Sequence, residues 1–275
     1  KVKSVLPNAE NNHEFSNGYL ISEKVKDFFI KKGFSEIQTR SFTGKGDIEV
    51  AYPMASDKGF LRTSLQEGIT DSMNLAISQA PLLGLDKIQI FEVGKTFTTG
   101  GEQLDLCFAI SYVKKIKNKE QITKTELEGL LKDLETELGA NLDSSVMAGC
   151  VYVKNLDKLN VKLNYNTPGK IEGSRIIFRP FSNEPFIVRD IALFVDSTES
   201  IDNVRETIKN SASAVANEIL VKGPDLFDQF EKDGKKSLAF RMIFQANDRT
   251  LNDAKTNGYM EKVYETVKEK GWQVK

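Results

Sequence analysis

The chain has 275 residues, 40% of them hydrophobic and 28% charged, which suits two folded domains and excludes a disordered chain. A formal net charge of −1 gives no global sign of nucleic-acid binding. No stretch approaches the roughly 20 apolar residues of a membrane span, and no signal peptide opens the chain, so we expect a cytoplasmic protein.

The first predicted elements are a helix and a strand. Apolar residues recur at helical spacing over 17–32, and Gly33 follows where a left-handed helix end is expected. Residues 34–42 then predict a strand. The apolar helix positions are Leu20, Ile21, Val25, Phe28 and Phe29.

A hairpin and two further helices complete the predicted first half. Residues 65–79 predict a helix, whereas 87–97 and 105–113 alternate as strands around a turn at Gly100-Gly101. Residues 120–139 predict another amphipathic helix, whose charges indicate a solvated face.

The last hundred residues predict a sheet with two helices on one face. Prolines at 180 and 185 mark a linker. Strands are predicted at 186–195, 217–230, 237–245 and 272–275, and helices at 201–214 and 253–270, which is a split βαβ pattern. The apolar stripes of both helices cover one sheet face, and the opposite face stays open. We expect Trp272 to cap the core.

Motifs within this sheet carry a family resemblance. Leu226-Phe227-Asp228, Lys235 to Arg241 and Asp248-Arg249-Thr250, with Arg189-Asp190 upstream, resemble the ferredoxin-fold anticodon-binding domain that closes the beta subunit of bacterial phenylalanyl-tRNA synthetase. The first half, with Leu61-Arg62-Thr63-Ser64-Leu65 and Phe91-Glu92-Val93-Gly94, resembles the synthetase-like core of the same subunit. The resemblance therefore implies an α+β chain: a class II synthetase-like antiparallel sheet with flanking helices over 1–178, shortened after 139, then a ferredoxin-like split βαβ domain over 179–275.

The resemblance implies a core that has lost its active site. Working class II sites present Phe-Arg-x-Glu for ATP, where this chain has Leu61-Arg62-Thr63-Ser64. We therefore predict no catalytic residue, no metal site and no cofactor bound by this chain, with ATP and Mg used by the whole enzyme. Cys107 and Cys150 are predicted to be reduced packing residues, and the single histidine, His13, to be exposed.

The resemblance also implies partners. The family's alpha subunit should bind the core, with Val25, Phe28, Phe29 and Arg62 at the interface, within an alpha-beta heterotetramer that charges tRNA-Phe. The C-terminal domain should bind the anticodon stem of tRNA-Phe. Editing and Mg-binding domains would lie upstream of Lys1, so the sequence is expected to be an excised fragment or a natural truncation. The alternative is a free-standing RNA- or protein-interaction module that kept this fold.

Five cations are candidates for RNA binding, each with a structural alternative. Arg241 projects from the open face, where RNA contact and a cross-strand salt bridge are equally compatible with the pattern. Lys235 and Lys236 occupy a hairpin tip that could reach phosphates or simply aid solubility. For Arg189 and Arg249 an ion pair is favoured: Arg189 with Asp190, and Arg249 with Asp190 or Asp248.

Charge limits how tightly the second half can bind RNA. Residues 180–275 contain 14 Lys and Arg against 16 Asp and Glu, a balance of −2. Sequence-independent affinity comes mostly from cations that neutralise phosphates, so the isolated domain should bind RNA weakly. Phe227 and Phe230 could stack on a base, although core packing explains phenylalanine in a strand more often.

Overall fold

The structure is a computed structural model, and it describes residues 15–114, 116–147, 149–161, 181–232 and 234–275. The chain forms two compact units. One unit comprises residues 1–80 and 85–171, and the other comprises 81–84 and 172–275. The predicted domain boundary at 178/179, residues 162–179 of the stretch predicted to be shortened, and His13 lie outside the described residues.

A five-stranded sheet organises the first unit. Its order is β1-β4-β5-β7-β6, with β1 parallel to β4 and every other neighbour antiparallel, while β2 pairs with β3 in a separate ribbon. The strands are β1 (Ser35–Glu36), β2 (Phe42–Thr43), β3 (Phe60–Leu61), β4 (Lys87–Thr98), β5 (Gly101–Tyr112), β6 (Ser144–Met147) and β7 (Cys150–Val153), and the helices are α1 (Asn17–Lys31), α2 (Gln66–Leu83) and α3 (Lys119–Leu138).

Helices cover both faces of this sheet. Alternation along β4 and β5 sends Phe91 and Phe108 to one face, where they pack with Phe29 of α1 and with the leucines of α3. Ile90 and Cys107 point to the other face, against α2. The predicted strand at 34–42 is wrong beyond its first residues, since only Ser35 and Glu36 pair with β4.

The second unit has the predicted split βαβ order. Its strands are β8 (Ile187–Asp196), β9 (Leu220–Lys232), β10 (Lys235–Phe244) and β11 (Gln273–Val274), and its helices are α4 (Ile201–Ala216) and α5 (Asp253–Glu269). The sheet order is β11-β8-β10-β9, antiparallel throughout. This arrangement confirms the predicted α+β class and its ferredoxin-like half.

The core of the second unit lies between the sheet and its two helices. Leu238, Phe240, Met242 and Phe244 of β10 are buried against α4 and α5, as the alternation predicted. Trp272 is also buried and closes one end of this core, which confirms its expected role. Within the described part of this unit, both helices pack on the same side, so the other side of the sheet carries the candidate site.

Candidate nucleic-acid interface

The open face is the side of the second sheet opposite α4 and α5. We define it by Asp190 and Phe194 of β8, Phe227 and Phe230 of β9, and Arg241 of β10. Ile191, Leu193, Phe240 and Met242 point into the core, so strand alternation turns Asp190, Phe194 and Arg241 outward. Phe230 contacts Phe194 and Phe227 contacts Arg241, so both rings lie on the same side.

Arg241 makes the cross-strand salt bridge that was one of its two predicted roles. Arg241 lies opposite Asp190 in the β8–β10 register. Its Nε and Nη2 donate to the two Asp190 carboxylate oxygens over 2.8 and 2.7 Å. Hydrogen bonding to Asp190 raises the pKa of the Arg241 guanidinium above its ordinary value. With 39% of its side chain exposed, Arg241 still reaches solvent.

Phe227 lies beneath this guanidinium. The Arg241 Cζ atom is 4.7 Å from the centroid of the Phe227 ring, a cation-π contact. The β9–β10 register shifts between Ala239 and Phe240, which leaves Phe227 as the extra residue of a bulge. Nearby Gly223 has a φ of +91°, and a Cβ there would lie 2.2 Å from the Arg241 carbonyl oxygen, so this bend requires glycine.

Phe230 forms a second aromatic platform on the open face. Its ring meets Phe194 edge to face at 6.3 Å, and Lys275 Nζ lies 5.8 Å from its centroid. Phe227 and Phe230 are 46% and 47% exposed. The sequence favoured core packing for these two residues, and that interpretation is wrong for both. Sequence reasoning also missed Phe194 and Lys275, although alternation with Leu193 and Val195 was a usable signal for Phe194.

The two lysines of the β9–β10 hairpin lie at one end of this sheet. Lys235 is exposed and pairs in register with Asp196. Lys236 is half-buried, and its Nζ donates to the Glu199 carbonyl oxygen over 3.3 Å. Lys235 is therefore the freer cation of the two, whereas Lys236 ties the hairpin to the turn before α4.

Arg189 points away from the open face, and Arg249 lies in the loop between β10 and α5. Arg189 alternates with Asp190 and points to the opposite side, where it pairs with Asp253 and donates to Asn257 Oδ1 over 2.9 Å. The expected Arg189-Asp190 ion pair is therefore wrong, because consecutive strand residues face opposite ways. Arg249 donates to its neighbour Asp248 over 2.8 Å, one of its two predicted pairs.

The residues predicted to contact a partner subunit are interior. Val25, Phe28 and Phe29 belong to the buried core between α1, α3 and the first sheet. Arg62 is buried as well. The structure corrects this prediction: the helical periodicity that singled out the three apolar residues marks their packing face, and it leaves no side-chain surface for a partner.

Arg62 is neutralised within the first unit. Its Nη1 donates to Glu92 Oε1 over 2.7 Å and to Thr39 Oγ1 over 2.8 Å, and its Nε donates to the Lys95 carbonyl oxygen over 2.9 Å. The side chains of Arg62 and Glu92 are 7% and 1% exposed. Arg62 also lines a polar cavity of about 680 Å³ between the β2–β3 ribbon and the start of α2. The Arg62 charge is paired with Glu92, and the other cations that line this cavity are Arg40, Lys45 and Lys58.

Across the described ranges, no three His, Cys, Asp or Glu side chains converge on a position that could hold a metal ion. Within the same ranges, no helix is both long and apolar enough to cross a membrane. Both cysteines are free and buried, which confirms their predicted packing role.

Comparison with known proteins gives two family matches. Residues 2–154 match the phenylalanyl tRNA synthetase beta chain CLM domain, and residues 182–274 match the ferredoxin-fold anticodon binding domain. The second match contains the whole open face defined above, apart from Lys275 beside it.

Curated relatives agree with these matches. Over 90% of this chain, the sequence is 24% identical to the phenylalanine-tRNA ligase beta subunit of Thermosynechococcus vestitus. Over 98% of this chain, it is 24% identical to the corresponding subunit of Streptococcus mutans. A beta subunit of Synechococcus elongatus is 31% identical over 97 residues. The chain spans only 36% and 40% of the first two relatives.

The two-unit α+β fold and both matched domains define a chain of the aminoacyl-tRNA synthetase class. Within that class, the chain belongs to the phenylalanyl-tRNA synthetase beta chain family. The resemblance inferred from its motifs is thereby confirmed.

Proposed function

We propose that the chain is part of a phenylalanine-tRNA ligase beta subunit that holds tRNA-Phe on its open face. The observation that carries this proposal is the pair of exposed rings, Phe227 and Phe230, each with a cation stacked against it. Exposed aromatic rings on a sheet are a common platform for nucleobases, since every base offers a flat π-surface. The matched anticodon binding domain supports the same assignment.

Charge supports a binding mode in which stacking contributes more than phosphate neutralisation. Arg241 is paired with Asp190, and Asp225 lies opposite Arg241 in the β9–β10 register. Local acids therefore offset the local cations, which weakens attraction to a bare phosphate backbone. Unpaired bases of the anticodon arm fit such a surface better than a duplex stem does, because only unpaired bases leave a face free to stack.

The first unit serves as a non-catalytic body that binds the alpha subunit. The ion pair between Arg62 and Glu92 supports the absence of adenylation chemistry here. With Val25, Phe28 and Phe29 buried, we assign the partner contact to the segment 42–54, where four exposed apolar side chains lie close together in sequence: Phe42, Ile48, Tyr52 and Met54. Tyr52 and Met54 are 93% and 100% exposed, which is costly in an isolated protein and typical of an interface.

The chemistry of the whole enzyme belongs to that partner. In this proposal ATP, Mg and phenylalanine react on the alpha subunit, within a cytoplasmic alpha-beta heterotetramer, and this chain positions the tRNA. No residue of this chain then contacts the reacting atoms.

The test is equilibrium binding of labelled tRNA-Phe to the 275-residue chain, with and without the cognate alpha subunit. Phe227→Ala and Phe230→Ala should each weaken binding by about 1–3 kcal/mol per lost base stack. The matched control is Phe181→Ala, since Phe181 is an exposed phenylalanine outside the sheet. Unchanged affinity in both open-face variants would refute the proposal, and equal binding of any RNA without alpha association would favour a free-standing interaction module.

A further inference from the structure

The two ends of the open face differ in charge. At one end, Asp190 and Asp225 lie opposite Arg241 on its two neighbouring strands, and Asp228 lies opposite Ala239, two positions before Arg241. Residues opposite each other in antiparallel strands share a face, so these side chains all belong to the open face. Three carboxylates therefore accompany one guanidinium, which Asp190 holds through two hydrogen bonds. This end of the face is acidic, and its guanidinium is already paired.

Lys275 lies at the other end of the open face, beside the second aromatic platform. Its neighbour Val274 packs against the core, so strand alternation turns Lys275 outward. The Lys275 backbone N–H donates to the Ala192 carbonyl oxygen over 2.8 Å, which ties this residue to β8. Its Nζ lies 5.8 Å from the centroid of the Phe230 ring. A cation is thus held next to an exposed ring.

Lys235 approaches the same platform from the neighbouring strand. Ser237 of β10 lies opposite Phe230, and Lys235 lies two positions before Ser237, toward the hairpin tip. The intervening Lys236 donates to the turn before α4, on the covered side of the sheet. Strand alternation therefore turns Lys235 to the open face, on the same side as Phe230.

Charge balance distinguishes the two ends as contacts for RNA. The described side chains beside Phe230 include these two exposed lysines and one carboxylate, that of Asp196 opposite Lys235. Within the described part of the chain neither lysine forms an ion pair, whereas Arg241 does. Phosphate binding strengthens with each protein cation that is free to neutralise a phosphate, so the two lysines should contribute more than the paired arginine.

We propose that Lys275 and Lys235 bind backbone phosphates of an unpaired RNA segment, next to a base stacked on Phe230. Arg241 makes no phosphate contact while Asp190 holds it, and its end of the face takes a base against Phe227 without neutralising a phosphate. This inference rests on the proposed function, because it requires RNA on the open face. It adds Lys275 to the binding residues and divides the face into a phosphate end and a stacking end.

The experiment is titration of labelled tRNA-Phe with the 275-residue chain at several salt concentrations. Lys275→Gln and Lys235→Gln should each flatten the log-log salt dependence by about 0.7–1 units, since each removes one phosphate contact. The matched control is Lys255→Gln, which makes the same charge change at an exposed lysine of α5 and should keep the wild-type slope. The double variant Asp190→Asn with Arg241→Gln removes an ion pair without changing the net charge and should also keep that slope.

Three results would overturn the inference: a wild-type slope in either open-face lysine variant, an equal flattening in Lys255→Gln, or a flatter slope in the double variant. Phe227→Ala and Phe230→Ala separate this inference from the proposed function, because lost stacking should weaken binding at every salt concentration. Weaker binding in these two variants with unchanged lysine slopes would refute the phosphate placement alone. Flatter lysine slopes without that weakening would refute the stacking and leave the phosphate end in place.

Discussion

Arg241 and Asp190 face each other across β10 and β8 and share two hydrogen bonds, of 2.8 and 2.7 Å. The bidentate geometry fixes the guanidinium above Phe227. A half-exposed pair of this kind contributes little to folding, typically about 0–1 kcal/mol. Its main effect is positional: it holds a cation beside an exposed ring while lowering the net charge that RNA meets.

Releasing Arg241 should therefore change RNA binding more than stability. In Asp190→Asn the guanidinium keeps its contact with Phe227 and loses its carboxylate partner. We expect tighter tRNA binding and a salt dependence steeper by about one unit of log-log slope, measured by titration at several salt concentrations. Asp253→Asn is the control, because Asp253 pairs with Arg189 away from the open face. An unchanged slope in Asp190→Asn would remove Arg241 from the phosphate contacts.

The buried ion pair between Arg62 and Glu92 should contribute more to the stability of the first unit than an exposed ion pair does. Glu92→Ala leaves the Arg62 cation buried without its carboxylate, and we expect a loss of about 3–5 kcal/mol in the free energy of unfolding, measured by urea denaturation. Glu102→Ala removes the exposed partner of Lys95 and should cost no more than about 1 kcal/mol. Equal losses in the two variants would contradict this assignment.

Tyr152 should make the first unit sensitive to alkali. Burial, together with its hydrogen bond to Asp105, raises the pKa of the Tyr152 hydroxyl well above its ordinary value of 10.0. A raised folded-state pKa contributes stability that is fully present below pH 10 and is lost as pH rises beyond it. We expect Tyr152→Phe to lose stability at pH 8 and to depend less on pH above 10, measured by thermal melts. An identical alkaline slope in wild type and variant would contradict this account.

Two substitutions should distinguish the proposed partner surface, the segment 42–54, from the core of the first unit. Met54→Asp introduces a charge at an exposed position and should prevent co-purification with the alpha subunit while the chain stays folded. Phe28→Asp places a charge in the core and should unfold the first unit instead, as circular dichroism would show. Retention of the complex by Met54→Asp would exclude the segment 42–54 from the interface.

Sequence periodicity predicted the elements well but not the roles of their side chains. The helical spacing of apolar residues in α1 correctly placed Val25 and Phe29 on one face of the helix. That spacing is the same for a face buried in the core and for a face that binds a partner, so it could not distinguish the two roles. The exposure of Phe227 depends on a bulge opposite Ala239 and Phe240, which strict alternation cannot predict. The pairing of Arg189 with Asp253 joins residues far apart in sequence, so only the packing of α5 beside β8 reveals it.

The most direct test of the open face is ultraviolet crosslinking of tRNA-Phe to the chain, with crosslinked peptides identified by mass spectrometry. Crosslinks should fall on β9 and β10, at Phe227, Phe230 and their neighbours, and should diminish in Phe227→Ala and Phe230→Ala. Crosslinks confined to α4 and α5, with none on those two strands, would contradict the claim that the uncovered side of this sheet holds the RNA.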